Sequence, residues 1–192
     1  YHSRVTDVAG NAVQIAHVPS IAGGGYDLIC PASAVALLWE TLLSAGAPFG
    51  ILPIGTDAFN MLRLESNQPL YGYELSEDVN PLEAGLRQAI SFAKGCYTGQ
   101  EVIARLDTYR KLKQNLFSLR LSALPHEALP LSLRYDGVEV GHLTSVARLP
   151  DASAVVGLGY IRAKFNQLEA SLRVGAEEPP VYARVVQIID QQ

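Results

Sequence analysis

The sequence predicts an α+β fold in two parts: a mixed helix and strand domain over residues 1–113, then a domain of short antiparallel strands over residues 114–192. In the first part, apolar residues recur at both helical and strand spacing. In the second part, short alternating runs are separated by proline, glycine and aspartate, which is typical of an all-β domain. A chain of 192 residues is long enough for two small domains of this kind.

Composition and charge narrow the class of protein. Hydrophobic residues make up 48% of the chain, which is enough to build a proper core. The formal net charge of −4 does not favour broad nucleic-acid binding. No apolar run approaches the ~18 residues of a membrane-spanning helix, so we expect no membrane partner.

The cysteine content and the first residues of the chain indicate the cellular compartment. Cys30 and Cys96 are too few for a disulfide framework or a four-cysteine metal site, and a reduced, cytoplasmic setting fits them best. The start of the chain lacks the basic and apolar regions of a signal peptide. It also lacks an initiator methionine, which suggests a fragment of a longer protein.

Short strands are predicted in both parts of the chain. Two of them, residues 12–18 and 26–30, lie in the first part. The Asp136-Gly137 pair between two later runs is a strong hairpin signal. Such spacing is typical of a small antiparallel barrel or sandwich. The strands predicted after residue 113 are residues 116–121, 131–135, 138–146, 155–161 and 181–189.

Two helices are predicted in the first part. The first ends at Gly46 and Pro48 and carries Trp39 on its apolar face, where we expect it to lie in the core. The second runs over about residues 56–65. Asn67, which tolerates the left-handed conformation, terminates it.

The most distinctive stretch is Lys94-Gly95-Cys96-Tyr97-Thr98-Gly99-Gln100-Glu101. Thr98 and Glu101 have the spacing of a capping box, which predicts a helix that begins at residue 98 or 99. Cys96 then precedes a helix N-terminus, and Lys94 lies on the same side of an extended segment. Both features favour the thiolate form of a cysteine. The alternative is an inert, buried cysteine.

A cluster of basic residues follows this stretch. We interpret it as a solvated surface, and contact with a tRNA or an anionic cofactor is the alternative. Its members are Arg105, Arg110, Lys111, Lys113 and Arg120.

The string at residues 94–101 resembles the signature of the YgfZ-type folate-binding proteins, which share a superfamily with the glycine-cleavage T-protein, an aminomethyltransferase. Residues 62–65, 69–72 and 81–86 are similar to the R-L-E, Y-G and P-x-E-A-G-L segments of that superfamily. The resemblance covers nearly the whole chain, but only the later part of the family's length. It implies a folate-binding, aminomethyltransferase-like domain followed by a β-barrel.

The resemblance also implies the site residues and the cofactor, tetrahydrofolate. Cys96 and Lys94 are carried over as the catalytic signature residues. A guanidinium offers a planar fork of donors to a pterin or a carboxylate, and a tyrosine ring can stack on a flat heterocycle. No metal ligands are predicted. The predicted cofactor-binding residues are Arg63, Glu65, Tyr71 and Tyr97.

One position departs from the superfamily pattern. Members with aminomethyltransferase activity carry G-E-x-G-Y-E, whereas residues 22–27 place Gly23 where the first Glu would be. The main interpretation is therefore a tetrahydrofolate-binding YgfZ-type protein that assists iron–sulfur cluster assembly or repair, or tRNA modification. Its expected partners are folate and iron–sulfur proteins or tRNA. The alternatives are an aminomethyltransferase that transfers a one-carbon unit to tetrahydrofolate, and a binding module without chemistry.

Overall fold

The computed structural model describes residues 2–18, 21, 24–109, 112–150, 154–166 and 171–189. The chain divides into two compact units, Tyr1–Leu62 and Arg63–Gln192. Mixed helices and strands precede a closed antiparallel barrel, so the predicted α+β fold is confirmed. The predicted boundary between residues 113 and 114 marks where strands replace helices, and it stays a prediction as a domain limit.

A three-stranded antiparallel sheet begins the first unit. Its strands, in the order β1-β2-β3, are β1 (His2–Val8), β2 (Asn11–Val18) and β3 (Gly25–Ile29). Only Val13 is buried among these strand residues. Strand β1 was not predicted, because an exposed strand does not need the apolar alternation that reveals a half-buried one.

Two helices complete the first unit and its junction with the second. They are α1 (Val35–Gly46), which ends at the predicted Gly46, and α2 (Thr56–Glu65), which has the predicted bounds. Asn67 has φ 57°, and the Gln68 N–H donates to the Arg63 carbonyl at 2.7 Å, as in a Schellman cap. The predicted terminator of α2 is therefore confirmed.

Two predictions about α1 are wrong: Trp39 does not lie in the core, and one helical stretch does reach the length and apolarity of a membrane span. Trp39 is 52% exposed, and Leu38 is the residue of this helix that is buried. Since α1 is apolar on nearly every side, its stripe did not identify the inward face. In addition, 3-10 turns at both ends extend the helical stretch to Ala32–Phe49. This stretch is long and apolar enough to cross a membrane by length and composition, a criterion that a core helix also meets.

The second unit contains α3 (Gln100–Tyr109) and a closed six-stranded barrel. The barrel order is β4-β7-β6-β5-β8-β9, with β9 pairing back onto β4, so the barrel alternative is confirmed over the sandwich. The four-residue strand β8 was not predicted, because so short a run carries too little alternation. The six strands are β4 (Gln114–Leu121), β5 (Leu131–Tyr135), β6 (Val138–Arg148), β7 (Val155–Arg162), β8 (Ser171–Val174) and β9 (Val181–Ile188).

Inward-facing side chains from all six strands fill the barrel. Leu119, Leu133 and Leu143 are fully buried there, and they alternate with outward polar residues along each strand. Asp136 and Gly137 both have positive φ, 49° and 75°, as a type I′ hairpin requires. The predicted turn between β5 and β6 is therefore confirmed.

The segment 81–86 docks against one rim of the barrel. The Leu116 N–H donates to the Glu83 carbonyl at 2.9 Å, and the Ile189 N–H donates to the Leu116 carbonyl at 2.8 Å. The buried Glu83 carboxylate also accepts from the Lys113 N–H at 3.1 Å. Gly85 has φ 72°, and a Cβ there would lie 2.2 Å from the Ile189 carbonyl oxygen. Only glycine fits at this contact.

Replacement of Gly85 should therefore destabilise the second unit. We expect Gly85→Ala to lower the free energy of unfolding by about 1–3 kcal/mol more than Gly72→Ala. Gly72 is a matched control because it also has positive φ, 86°, but has open space around its Cβ position. Urea denaturation followed by circular dichroism measures both variants. Equal losses would contradict the close approach.

Candidate functional site

Helix α3 begins at Gln100, one or two residues later than predicted. Gly99 has φ 87°, a conformation outside the helical region, so the helix starts after it. The Tyr97 N–H donates to Oε1 of Gln100 at 3.3 Å. This contact stands in place of the predicted Thr98–Glu101 capping box, which is absent from the part of the chain that the structure describes.

Cys96 and Lys94 lie in the exposed loop that precedes α3. Cys96 is solvent-exposed, so the burial expected in the alternative is wrong, and the reactivity of the thiol stays a prediction. The Lys94 ammonium lies 4.6 Å from the centroid of the Tyr97 ring, as in a cation–π contact. Within the described residues, no hydrogen bond joins Lys94 to the thiol. The catalytic roles of both residues stay predictions.

Arg63 belongs to a buried polar group that we call the Glu74 cluster: Arg63, Glu74, Thr144, Ser145 and Tyr160. Its centre is the Glu74 carboxylate, and Arg63 donates to Oε2 at 2.8 Å. The hydroxyls of Thr144 and Ser145 donate to Oε1 at 2.7 and 2.5 Å. The Tyr160 hydroxyl donates to the Glu74 carbonyl at 2.9 Å. Donors thus surround a carboxylate that water does not reach.

Burial shifts the pKa of Tyr160 in this cluster and of the adjacent His142. Burial, and then the negative charges of Glu74 and Glu83, raise the pKa of Tyr160, so its hydroxyl stays a neutral donor. The His142 ring lies 5.6 Å from the Tyr160 ring. Burial lowers the pKa of His142, with a smaller opposing effect from Glu139. His142 is therefore neutral near pH 7.

Among the described residues, no hydrogen bond, ion pair or ring contact joins any two of the four predicted cofactor-binding residues. Tyr71 is 71% exposed, and Glu65 is also exposed. Arg63 is 1% exposed, and its donors also reach the Gln68 carbonyl at 3.3 Å and Ser145 at 2.7 Å. The geometry gives Arg63 a structural position, and its predicted role in folate binding stays a prediction.

Sequence reasoning missed Glu74, which is the centre of the cluster. The available signal was a carboxylate directly after Tyr71-Gly72-Tyr73. Its partners Thr144 and Ser145 are about 70 positions away, so no local periodicity connects them. Gly23, whose substitution for a carboxylate counted against aminomethyl transfer, lies outside the described residues.

A cavity of about 920 Å³ lies within the second unit, and none of the predicted site residues lines it. Its walls combine apolar side chains such as Leu106 and Ile188 with Asn115 and an Arg87–Asp107 ion pair. Such a volume can hold a small organic ligand. The described residues contain no group of three or more His, Cys, Asp or Glu that could hold a metal ion.

Comparison with known proteins gives relatives over most of the chain. The GCVT N-terminal domain family matches residues 1–94. A chloroplastic protein of Arabidopsis thaliana, named as a transferase, is 37% identical over 86% of this chain and 37% of its own length. The aminomethyltransferase of Koribacter versatilis is 31% identical over 91% of this chain and 46% of its own length. That of Caldanaerobacter subterraneus is 28% identical over 97% of this chain and 50% of its own length.

A solved structure shares the fold. The glycine cleavage system aminomethyltransferase T from Bartonella henselae has a TM-score of 0.77 and 19% identity, covering 92% of this chain and 49% of that protein. At this identity the likeness concerns the fold alone. The chain spans about half the length, or less, of these relatives.

Removal of the charge on Arg63 should strongly destabilise the second unit. Arg63→Met leaves the Glu74 carboxylate buried without a cation, and we expect a loss of about 3–5 kcal/mol in the free energy of unfolding. Arg87→Met is the matched control, since its ion pair with Asp107 is partly exposed and should cost less than about 1 kcal/mol. Chemical denaturation measures both. A small loss for Arg63→Met would show that the buried pair is dispensable.

Proposed function

We propose that this chain, which belongs to the glycine-cleavage T-protein superfamily, is part of a transferase that passes a one-carbon unit to tetrahydrofolate. The observation that carries the proposal is that relatives named as aminomethyltransferases align with 91–97% of the chain. The shared fold is consistent with it.

Tetrahydrofolate fits some of the predicted residues and not others. The exposed Tyr71 ring can stack on a pterin, and the exposed Glu65 carboxylate can accept from its N–H groups. Arg63 fits less well, because its guanidinium already donates to Glu74, Ser145 and the Gln68 carbonyl inside the unit. When bound, tetrahydrofolate supplies the acceptor for the one-carbon unit.

The Glu74 cluster supports this proposal by holding the Tyr71 loop in shape. Oε2 of Glu74 accepts from the Leu70 N–H at 3.0 Å. The Gly72 N–H donates to the Leu75 carbonyl at 2.9 Å, and the Tyr73 N–H donates to that of Leu70 at 3.2 Å. This compact turn presents Tyr71 to solvent in a fixed backbone conformation. A preformed aromatic surface lowers the entropic cost of binding.

A second candidate is the YgfZ-type role in iron–sulfur cluster maintenance or tRNA modification, in the cytoplasm. Two observations favour it: the exposed Cys96 within the string Lys94–Glu101, and Gly23 in place of a carboxylate. In this role the thiol of Cys96 is the reactive group, and the protein also binds folate.

For the first candidate, the full-length protein should release ammonia from an aminomethylated carrier protein in a tetrahydrofolate-dependent assay. We expect Tyr71→Ala to raise KM for tetrahydrofolate about tenfold, because the stacking surface is lost. Tyr182→Ala, on the outer face of β9, is the control and should leave KM unchanged. Absence of turnover in the unmodified protein would reject this candidate.

For the second candidate, the exposed thiol should be required in cells. In a strain that lacks the gene, we expect Cys96→Ala to fail to restore iron–sulfur enzyme activity. Cys30→Ala is the matched control, since it also removes a thiol but lies in a partly buried position at the end of β3. Full restoration by Cys96→Ala would favour a binding module without chemistry.

A further inference from the structure

Charge is unevenly distributed over the barrel. Each of the six strands carries one arginine, whereas Glu139 on β6 is the one carboxylate residue in these strands. The chain as a whole has more acidic than basic residues, 19 against 15. The barrel wall is therefore basic although the net charge is negative. The strand arginines are Arg120, Arg134, Arg148, Arg162, Arg173 and Arg184.

Three of the six strand arginines lie on the wall formed by β8, β9 and β4, strands that contain no Asp or Glu. In this wall Arg184 lies directly opposite Arg120 on the neighbouring strand, and Ser171 lies opposite Arg184 on the other side. Arg120 and Arg184 are both exposed. Neighbouring strands are about 4.8 Å apart, so the two guanidinium groups start from adjacent positions.

No carboxylate neutralises this arginine pair. Like charges directly opposite each other destabilise a sheet. Even so, neither Arg120 nor Arg184 has an ion-pair partner within 4.0 Å among the residues placed in the structure. An unfavourable pair on an exposed wall is explained if an anion outside this chain binds it.

A second set of paired residues lies on the same wall, two positions along the strands from the pairing of Ser171 with Arg184. It consists of Arg173 on β8 and, opposite it, Tyr182 on β9, a residue that is 45% exposed. Tyr182 in turn contacts Ser122, with hydrogen bonds of 2.8 and 3.0 Å. Arg173 also pairs with Glu178, but that pair is exposed, and such pairs are weak and easily exchanged.

The chemistry of this wall consists of guanidinium groups, hydroxyls and one aromatic face. Arginine, serine and tyrosine are among the side chains that contact phosphate groups, and exposed aromatic rings stack on unpaired bases. An acidic protein surface would match the charge but would make no use of Tyr182. Single-stranded nucleic acid matches both.

We propose that the wall formed by β8, β9 and β4 binds single-stranded nucleic acid, with Arg120, Arg173 and Arg184 on the phosphates and Tyr182 against a base. This surface shares no residue with the folate or Cys96 sites of the proposed function, and it includes Arg120 from the basic cluster for which tRNA contact was the alternative. The negative net charge of the chain does not reveal this basic surface, because the acidic residues of this unit lie mainly outside the strands.

Fluorescence anisotropy with labelled polyuridine of about 20 nucleotides tests the proposal on the full-length protein. We expect saturable binding at low salt that weakens as salt rises. Arg120→Gln/Arg184→Gln should lower the affinity at least about tenfold and reduce the slope of log affinity against log salt by about 1.4, since two phosphate contacts are lost. Arg4→Gln/Arg148→Gln is the control of equal charge change, from exposed residues outside this wall.

Tyr182→Ala separates the two partner classes. We expect it to lower the affinity for polyuridine with little change in the salt slope, because stacking is lost and charge is kept. No binding to polyuridine at low salt, or an equal loss in the control pair, would overturn the proposal. Equal competition by polyglutamate together with no effect of Tyr182→Ala would assign the wall to acidic proteins instead. Circular dichroism verifies that each variant folds, and unchanged aminomethyl transfer separates this surface from the proposed function.

Discussion

A buried carboxylate is tolerated only when donors replace the water that it loses, and Glu74 imposes this constraint on the second unit. The donors come from separate parts of the chain: Arg63 at the end of α2, the Leu70 backbone, and the hydroxyls of Thr144 and Ser145 on β6. Each must be in place at the same time. The loop that carries Tyr71 is therefore fixed to the barrel through one acidic group.

Segment 81–86 makes a second attachment of the same kind. The carbonyl and the carboxylate of Glu83 accept hydrogen bonds from backbone N–H groups at the start of β4. Gly85 allows close contact with the end of β9. Two segments that match the superfamily pattern are thus also structural contacts of the barrel. A residue that positions the loop and a residue that touches the cofactor give the same sequence signal.

Local rules predicted much of the fold. The α2 bounds, the left-handed Asn67 and the Asp136-Gly137 hairpin depend on neighbouring residues, and sequence shows these directly. Features set by distant contacts were not accessible: the donors around Glu74 lie far away along the chain, and the inward face of α1 is not encoded by its uniform apolarity. The exposed position of Cys96 likewise could not be separated from burial by a pattern of eight residues.

Closure of the barrel joins its first strand to its last. Because β4 pairs with β9, the cylinder lacks one wall until residues 181–188 have been synthesised. Pairing across so long a separation slows folding, since the intervening chain must be ordered first. During synthesis on the ribosome, the edge of β4 that pairs with β9 therefore stays unpaired. A chaperone that shields this edge would have its greatest effect just before β9 emerges.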